Sequence, residues 1–288
     1  MRDFDEQTIT DAVHQSFAGT PDARLAQIMS HLVAHMHEFI RDVAPSFEEF
    51  QAAVRFLTAT GQISDQRRQE FILLADVLGV SMLIDAINHR MPEGATETTV
   101  LGPFHVADAP LCANGADISA GAAGELLFVD GCVLDPQGTP LAGAQIDVWQ
   151  SDAEGFYDLQ RPERGGSALR ARLRSDPNGR FWFRSIVPAA YPIPDDGPVG
   201  ALLRATKRHP WRPAHVHFMI AAPRFETLIT HVFVAEDQYL DSDAVFGVKT
   251  SLIADFVKMP PGALPDGSAT AQPWRHLSYQ FGLKPIAI

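Results

Sequence analysis

The chain has 288 residues, a formal net charge of −12 and 46% hydrophobic residues. This length suffices for one large core or two domains, and the acidic excess argues against a nucleic-acid-binding surface. No run approaches the roughly 18 apolar residues of a membrane helix, and the first residues lack the pattern of a signal peptide. Cys112 and Cys132 form neither a metal-binding spacing nor a disulfide framework. We therefore expect a cytoplasmic protein with reduced thiols that is not integral to a membrane.

The first part of the chain has the apolar spacing of amphipathic helices. Over residues 8–88, apolar side chains recur every three or four positions, most regularly over residues 25–43. Ser46 followed by Glu49 is a capping box that predicts the start of the next helix. A third long helix is predicted over residues 64–87, and its wide apolar stripe indicates packing on the following domain or on a second subunit.

Beyond residues 92–94, glycine, proline and β-branched residues become frequent and the helical spacing disappears. Two Asp-Pro-x-Gly turns, at residues 135–138 and 176–179, predict strand reversals, because proline presets the turn and glycine takes the positive φ. We predict a mainly β protein with an α-helical N-terminal domain, residues 1–98, and an antiparallel β-sandwich core, residues 99–288. Strands are expected over residues 126–134, 144–149, 179–184, 214–221 and 228–234.

The segment Arg-Pro-Ala-His-Val-His-Phe at residues 212–218 contains two histidines two positions apart in a β-prone run. On a strand, this spacing points both imidazoles to the same face. Neutral imidazole is a common ligand of iron, zinc and copper, so the pair indicates half of a metal site. A pair of ordinary sheet histidines is the alternative interpretation.

Two tyrosines precede this strand in turn-rich settings. Tyr157 follows an acidic loop with a glycine, and Tyr191 lies between prolines in an irregular stretch, residues 188–210, that we expect to cover a functional face. A phenolate is a hard oxygen donor, so two tyrosines and two histidines suit a hard, high-valent iron better than zinc or copper. An ordinary loop position is the alternative for each tyrosine taken alone.

Together these segments resemble the intradiol ring-cleavage dioxygenases over most of the chain. The similarity consists of Asp-Val-Trp-Gln at residues 147–150, Gly-Phe-Tyr at 155–157, Tyr-Pro-Ile-Pro at 191–194 and the segment at 212–217. Leu-Gly-Pro-Phe at residues 101–104 adds to it. The resemblance implies that the β-sandwich is the catalytic core and that the helical domain contributes to dimerisation and to part of the pocket.

The resemblance implies one non-haem Fe(III) per subunit, bound by Tyr157, Tyr191, His215 and His217. The substrates would be O2 and a small aromatic diol or triol, cleaved between its two hydroxyl-bearing carbons to a muconate-type dicarboxylate. Tyr191 would leave the metal when the substrate binds and would act as a general base. Arg212 would stabilise negative charge on the reacting ring carbon, and a simple salt-bridge role is its alternative.

The choice of substrate depends on finer similarities. Asp76 matches an acidic pocket residue of the hydroxyquinol-cleaving branch, although a solvated helix position is the alternative. His231 stands where catechol enzymes usually have a glutamine, and residues 241–249 resemble the hydroxyquinol and chlorocatechol branches. We therefore expect cleavage of hydroxyquinol (benzene-1,2,4-triol) to maleylacetate or 3-hydroxy-cis,cis-muconate, with catechol or chlorocatechol as the alternative. The residues expected to line the pocket are Leu73, Asp76, Leu101, Gly102, Pro103, Phe104, Ile193, Pro194, His231 and Val245.

The family resemblance also implies a homodimer formed through the N-terminal helices, often with a phospholipid at the interface. A different class of protein stays open, because residues 131–144 fit the pattern of a prealbumin-like β-sandwich that occurs in non-catalytic binding modules. An extradiol dioxygenase is a further alternative, but its ferrous site would need a carboxylate and no tyrosines.

Overall fold

The structure is a computed structural model that describes residues 2–66, 68–164 and 166–286. The chain forms two compact units, Met1–Gln62 and Ile63–Ile288. The predicted domain boundary after residue 98 stays a prediction, and each unit is described by itself below.

The first unit is helical, as its apolar spacing predicts. Its second helix begins after Asp22, whose carboxylate accepts from the N–H groups of Arg24 and Leu25. The capping box is confirmed, because the N–H of Ser46 donates to Glu49 and the N–H of Glu49 donates to the hydroxyl of Ser46. The helices of this unit are α1 (Ile9–Ser16), α2 (Ala23–Val43) and α3 (Phe47–Ile63).

The second unit opens with two short helices where the sequence predicts a single long one. These are α4 (Glu70–Val77) and α5 (Val80–Asn88), separated by Gly79 with a φ of +72°. The predicted continuous helix is wrong because a left-handed glycine ends one helix and starts the next. Among the described residues, no helix combines the length and the apolar character needed to cross a membrane.

The remainder of the second unit consists mainly of β-strands, and all five predicted strands are present within two residues of their predicted ends. Two further strands, Arg170–Arg174 and Trp274–Gly282, were missed. Both contain many charged or polar residues, which are uncommon in the apolar runs from which the other strands were predicted. The strands are β1 (Leu126–Leu134), β2 (Gln145–Gln150), β3 (Arg170–Arg174), β4 (Arg180–Ile186), β5 (Tyr191–Pro192), β6 (Trp211–Arg212), β7 (His215–Ala221), β8 (Leu228–Val234), β9 (Ile253–Ala254), β10 (Val257–Met259), β11 (Gly262–Ala263), β12 (Ala269–Thr270) and β13 (Trp274–Gly282).

Two sheets enclose the main core. One has the order β10-β13-β1-β4, and the other has the order β3-β2-β7-β8-β9. Their strands pair antiparallel except for β1 with β13 and β8 with β9, which run parallel. Apolar side chains from both sheets meet between them, including Val129, Phe181, Val148 and Phe218, which are at most 1% exposed. The fold class, mainly β with N-terminal helices, is confirmed.

The stretch over residues 188–210 is more regular than predicted. It contains the helix α6 (Pro198–Ala205), which begins with a proline. Proline is tolerated there because the N–H of the first helical residue makes no hydrogen bond within the helix. Before this helix, β5 pairs with β6, so that Tyr191 lies directly opposite Arg212. The stretch therefore places two predicted site residues in one small antiparallel ribbon.

Candidate metal centre

The candidate metal centre lies on one face of β7, the middle strand of the five-stranded sheet. Side chains alternate along this strand, so Val216, Phe218 and Ile220 enter the core while His215 and His217 point the opposite way. Both imidazoles are buried, with 1% exposure. The prediction that the two imidazoles share one face of a strand is confirmed.

Two phenol rings meet this histidine pair. The Tyr157 hydroxyl is 2.9 Å from Nε2 of His217, which is 3.1 Å from Nε2 of His215. The ring centroids of Tyr157 and Tyr191 are 5.2 Å apart, and those of Tyr191 and His215 are 5.6 Å apart. The structure therefore brings together all four residues expected from the sequence, each at most 4% exposed.

A glycine allows the two tyrosines to approach each other. Gly155 has a φ of +86°, and a Cβ at this position would lie 2.9 Å from the carbonyl oxygen of Ala190 and 3.1 Å from Cβ of Tyr191. Only glycine combines the left-handed conformation with this close approach. Tyr157 follows this turn at once, while Tyr191 is held from the other side by its pairing with Arg212.

The histidine pair is neutral. Nδ1 of His215 is 2.7 Å from the carbonyl oxygen of Pro213, and since a carbonyl only accepts, Nδ1 bears the proton and Nε2 is left with a lone pair. Burial, assisted by the charge of Arg212, lowers the pKa of His215 to about 3. Burial and the neighbouring His215 lower the pKa of His217 well below its ordinary value.

A third imidazole lies against the pair. His231 on β8 is directly opposite His217, and its ring centroid is 4.6 Å from that of His215 and 4.2 Å from that of His217. Its Nδ1 is 3.1 Å from the hydroxyl of Thr99, whereas its Nε2 has no hydrogen-bond partner in the described part of the chain. The sequence predicts a substrate-binding role for His231, which stays a prediction.

Arg212 is buried beside the tyrosines in a pair with Asp243. Its Nε and Nη2 donate to the two carboxylate oxygens over 3.1 and 3.3 Å, and its Nη1 lies 3.4 Å from the Tyr191 hydroxyl. Burial alone would lower the pKa of Arg212, but the Asp243 carboxylate outweighs it and the pKa is raised. The guanidinium is therefore permanently charged. It forms the salt bridge with Asp243 and at the same time lies next to Tyr191.

Three of the expected pocket residues, Leu73, Ile193 and Val245, join one apolar cluster. Asp76 lies one turn along α4 from Leu73 and is half-buried. Burial raises the pKa of Asp76, while a hydrogen bond from Ser81 and the charge of Arg212 oppose this shift. The buried members of this cluster are Val77, Ile193, Val199, Leu203, Ala244 and Val245.

Pro194 and the expected pocket residues of the segment 101–104 divide into two groups. Phe104 stacks on Tyr157 with ring centroids 4.1 Å apart, and a Cβ at Gly102 would lie 3.4 Å from Cε1 of His217. Phe104 and Gly102 therefore lie next to two of the candidate metal ligands, Tyr157 and His217. Leu101, Pro103 and Pro194 are exposed, so their place in the pocket stays a prediction.

The donor set fits a hard metal cation. Nε2 of His217 lies 2.9 Å from the Tyr157 hydroxyl and 3.1 Å from Nε2 of His215, so two imidazole nitrogens and a phenol oxygen meet in one buried place. Burial and the adjacent Tyr191 raise the pKa of Tyr157 well above its ordinary value, so this phenol is neutral without a cation. A bound cation would reverse that balance, and metal binding would release phenol protons.

Sequence reasoning missed two residues of this site. Asp243 lies in the segment 241–249 that resembles the hydroxyquinol and chlorocatechol branches, but an acidic residue between serine and alanine does not indicate a buried arginine partner. Trp149 belongs to the Asp-Val-Trp-Gln motif at residues 147–150. Its ring stacks on that of His217 with centroids 4.6 Å apart and an angle of 15° between the ring planes. Its strand position, directly opposite His217, becomes visible only once the register of β2 and β7 is known.

Comparison with known proteins agrees with this site. The family model described as "Catechol dioxygenase N terminus" matches residues 22–96, and the model described as "Dioxygenase" matches residues 100–285. The 6-chlorohydroxyquinol 1,2-dioxygenase of Cupriavidus pinatubonensis is 56% identical over 91% of this chain and 95% of its own length. The hydroxyquinol 1,2-dioxygenase of a Rhizobium species is 51% identical over 89% of this chain and 87% of its own length.

A solved structure is similar over nearly the whole chain. The crystal structure of hydroxyquinol 1,2-dioxygenase from Pseudomonas putida DLL-E4 superposes with a TM-score of 0.93 at 47% identity. The superposition covers 98% of this chain and 99% of that one. These similarities decide against the alternative of a non-catalytic binding module, and the chain belongs to the intradiol ring-cleavage dioxygenase family.

Proposed function

We propose that this protein cleaves hydroxyquinol between its two adjacent hydroxyl-bearing carbons, with O2 as the second substrate. The observation that supports this substrate most is the half-buried carboxylate of Asp76, on the helix that also contributes Leu73 to the apolar cluster. Similar proteins that bear the name hydroxyquinol 1,2-dioxygenase point to the same triol. The expected product is 3-hydroxy-cis,cis-muconate or its tautomer maleylacetate.

We propose that Tyr157, Tyr191, His215 and His217 bind one non-haem Fe(III). The support is the donor chemistry: two neutral imidazoles and two phenols, buried together, with one lone pair aimed at their meeting point. Two phenolates with a hydroxide would neutralise the three positive charges of the ion, so that the buried site would bear little net charge. When bound, ferric iron would orient the catecholate oxygens and draw electron density from the ring, which makes the ring reactive towards O2.

Tyr191 is the residue proposed to take a substrate proton. Its hydroxyl lies 3.4 Å from Nη1 of Arg212, so a Tyr191 that has taken the proton and left the metal still has a hydrogen-bond donor beside its oxygen. Tyr157 is more confined, since Phe104 stacks on its ring and Trp149 closes the far side of His217. This asymmetry supports Tyr191 as the mobile ligand and Tyr157 as the fixed one.

Arg212 is proposed to stabilise negative charge on the substrate ring. It is 3% exposed and permanently charged, and a fixed cation in a buried site acts strongly on developing charge. Its salt bridge with Asp243 uses Nε and Nη2, which leaves Nη1 directed towards the tyrosines. The salt-bridge interpretation and the catalytic one are therefore compatible.

The apolar cluster and Asp76 are proposed to select the substrate. Leu73, Ile193 and Val245 would pack against the faces of an aromatic ring, while Asp76 would accept a hydrogen bond from the third hydroxyl. Catechol lacks that hydroxyl. His231 remains the second candidate for contact with the substrate.

The decisive experiment combines metal analysis with a substrate panel. The protein is purified, its iron is quantified, and its absorption spectrum is recorded, since tyrosinate-to-Fe(III) charge transfer gives a burgundy colour. Cleavage of hydroxyquinol, 6-chlorohydroxyquinol, catechol and chlorocatechols is then followed by product absorbance. We expect one iron per chain and the highest kcat/KM for a hydroxyquinol. A colourless protein, or one that prefers catechol, would contradict the proposal at the metal or at the substrate respectively.

We further propose a homodimer formed through the N-terminal helices, with a phospholipid at the interface, in the cytoplasm. The support is the apolar exposure of the first unit taken by itself, where Phe39 is 62% and Phe47 is 90% exposed. Such surfaces on a soluble helix are usually covered by another chain or by an apolar ligand. Light scattering of the purified protein and lipid extraction with mass spectrometry test the two parts separately.

A further inference from the structure

Asp243 accepts hydrogen bonds from two directions. On one side, Nε and Nη2 of Arg212 donate to its two oxygens over 3.1 and 3.3 Å. On the other side, the N–H of Val245 donates to Oδ1 over 3.4 Å and the N–H of Gly247 donates to Oδ2 over 2.9 Å. Each carboxylate oxygen is therefore shared between the buried guanidinium and the backbone of the loop that contains Val245.

The same backbone turn occurs at Asp135, where no arginine among the described residues pairs with the carboxylate. There one carboxylate oxygen accepts from the N–H groups two and four residues later, over 2.9 and 2.8 Å. The third residue of that turn is Gly138, with a φ of +85°, whereas the corresponding residue after Asp243 is Phe246, with a φ of +59°. A bulky residue in the left-handed region is unfavourable, so the loop at Asp243 must be held by additional contacts.

The close packing at Gly247 shows how tightly the guanidinium is fixed. A Cβ at Gly247 would lie 3.0 Å from Nη2 of Arg212 and 3.1 Å from Oδ2 of Asp243. The loop backbone thus closes directly over the paired groups. With Nε and Nη2 held in this way, the planar guanidinium can point only Nη1 at Tyr191, because its nitrogens are rigidly connected.

We infer that Asp243 is a positioning residue that acts through Arg212, fixing its Nη1 towards Tyr191 and tying this cation to the pocket loop around Val245. Loop and cation would then move as one unit when an aromatic substrate packs on Val245. The inference rests on the proposed function, because it assigns Asp243 to the same reaction.

The test compares Asp243→Asn with Asp135→Asn, which removes a carboxylate from the same type of turn that has no arginine partner in the described part of the chain. Asp243→Asn keeps the shape of the side chain but loses the charge that orients the guanidinium. We expect kcat for hydroxyquinol to fall roughly 10–100-fold, the usual loss for a buried partner of a functional group. KM should stay within about threefold, and the iron content and the charge-transfer band should be unchanged. Asp135→Asn should leave kcat unchanged.

A double variant shows whether Asp243 acts through Arg212. In an Arg212→Ala background, Asp243→Asn should cause no further loss of kcat, because the group that it positions is gone. An unchanged kcat in Asp243→Asn, an equal loss in both backgrounds, or a loss of iron would each overturn the inference.

Gly247→Ala provides a second test if Asp243→Asn fails to fold. It keeps both charges but pushes the guanidinium by a few tenths of an ångström, so kcat should fall roughly threefold to tenfold with the iron retained. An unchanged kcat in this variant would overturn the inference. Failure of the proposed function can be distinguished from failure of this inference. In the former case, the unmutated protein itself would lack iron and would cleave no member of the substrate panel.

Discussion

The two faces of β7 have the same burial and opposite chemistry. On one face Val216, Phe218 and Ile220 lie in the core, at most 1% exposed, among apolar neighbours. On the other face His215 and His217 are equally buried but are surrounded by rings and polar atoms. A strand normally buries one face and exposes the other to water, so a strand that buries imidazoles on its second face needs a reason.

The two faces differ in whether their buried atoms have suitable partners. On the apolar face, the side chains pack against other buried apolar residues. On the polar face, Nδ1 of His217 and Nε1 of Trp149 have no hydrogen-bond partner within residues 2–66, 68–164 and 166–286. A buried polar atom without a partner costs about 1–3 kcal/mol. The apolar face therefore stabilises the fold, whereas the polar face is costly to bury and is the face on which the candidate metal ligands meet.

The largest expected effect is the loss of the metal from the polar face. His217→Ala and Tyr157→Phe each remove a donor atom, and we expect both variants to lose most of their iron and all measurable turnover. Metal analysis after purification measures this directly. Met219→Leu, a change on the same face two positions along the strand, is the matched control and should retain the metal. Normal iron and turnover in both site variants would refute the ferric site.

A change on the apolar face should lower the stability of the fold and leave metal binding intact. Phe218→Ala removes a fully buried ring, so we expect the free energy of unfolding to fall by about 3–5 kcal/mol. The folded fraction should still bind one iron per chain, because the imidazoles point the other way. Urea denaturation of the metal-free protein compares this variant with His217→Ala, for which a smaller loss is expected. An equal loss of unfolding free energy in the two variants would contradict the proposed difference between the two faces.

Arg212→Ala should separate catalysis from metal binding. We expect turnover to fall roughly 10²–10³-fold while the iron and the burgundy colour remain, because Arg212 donates to Tyr191 without being a ligand itself. The variant leaves Asp243 buried without its partner, which is destabilising, so the measurement is made on protein shown by circular dichroism to be folded. A folded, coloured variant with unchanged turnover would leave only the salt-bridge role.

Periodicity made the sheet and the histidine pair predictable, since alternation along β7 is visible in the sequence itself. The approach of Tyr157 and Tyr191 was not visible in the same way, and it was expected only through the family resemblance. It depends on a left-handed turn at Gly155 and on the pairing of β5 with β6, which are contacts between distant segments. Asp243 was missed for a related reason, because a buried ion pair between residues 31 apart leaves no local pattern.

The smallest effect concerns Asp76, which lies on a helix rather than on the polar face of the sheet. Its carboxylate is half-buried, and burial raises its pKa against the opposing effects of Ser81 and Arg212. A hydrogen bond to a charged group contributes roughly 1.5–3 kcal/mol, or about a ten- to hundredfold preference. Since Ser81 already donates to this carboxylate, we expect the lower end, about tenfold.

Asp76→Ala should therefore weaken hydroxyquinol cleavage by about tenfold and leave catechol cleavage equal or better, because only the triol has the hydroxyl that Asp76 would bind. The measurement is the ratio of kcat/KM for the two substrates in the unmutated protein and the variant. Asp76→Asn is the matched control, since its amide oxygen can still accept the bond and should preserve part of the preference. If the ratio does not move, Asp76 is an ordinary helix residue, and selection of the triol must then come from His231 or from the loop around Val245. If it comes from His231, whose ring lies against those of His215 and His217, the polar face of the sheet would determine specificity as well as bind the proposed metal.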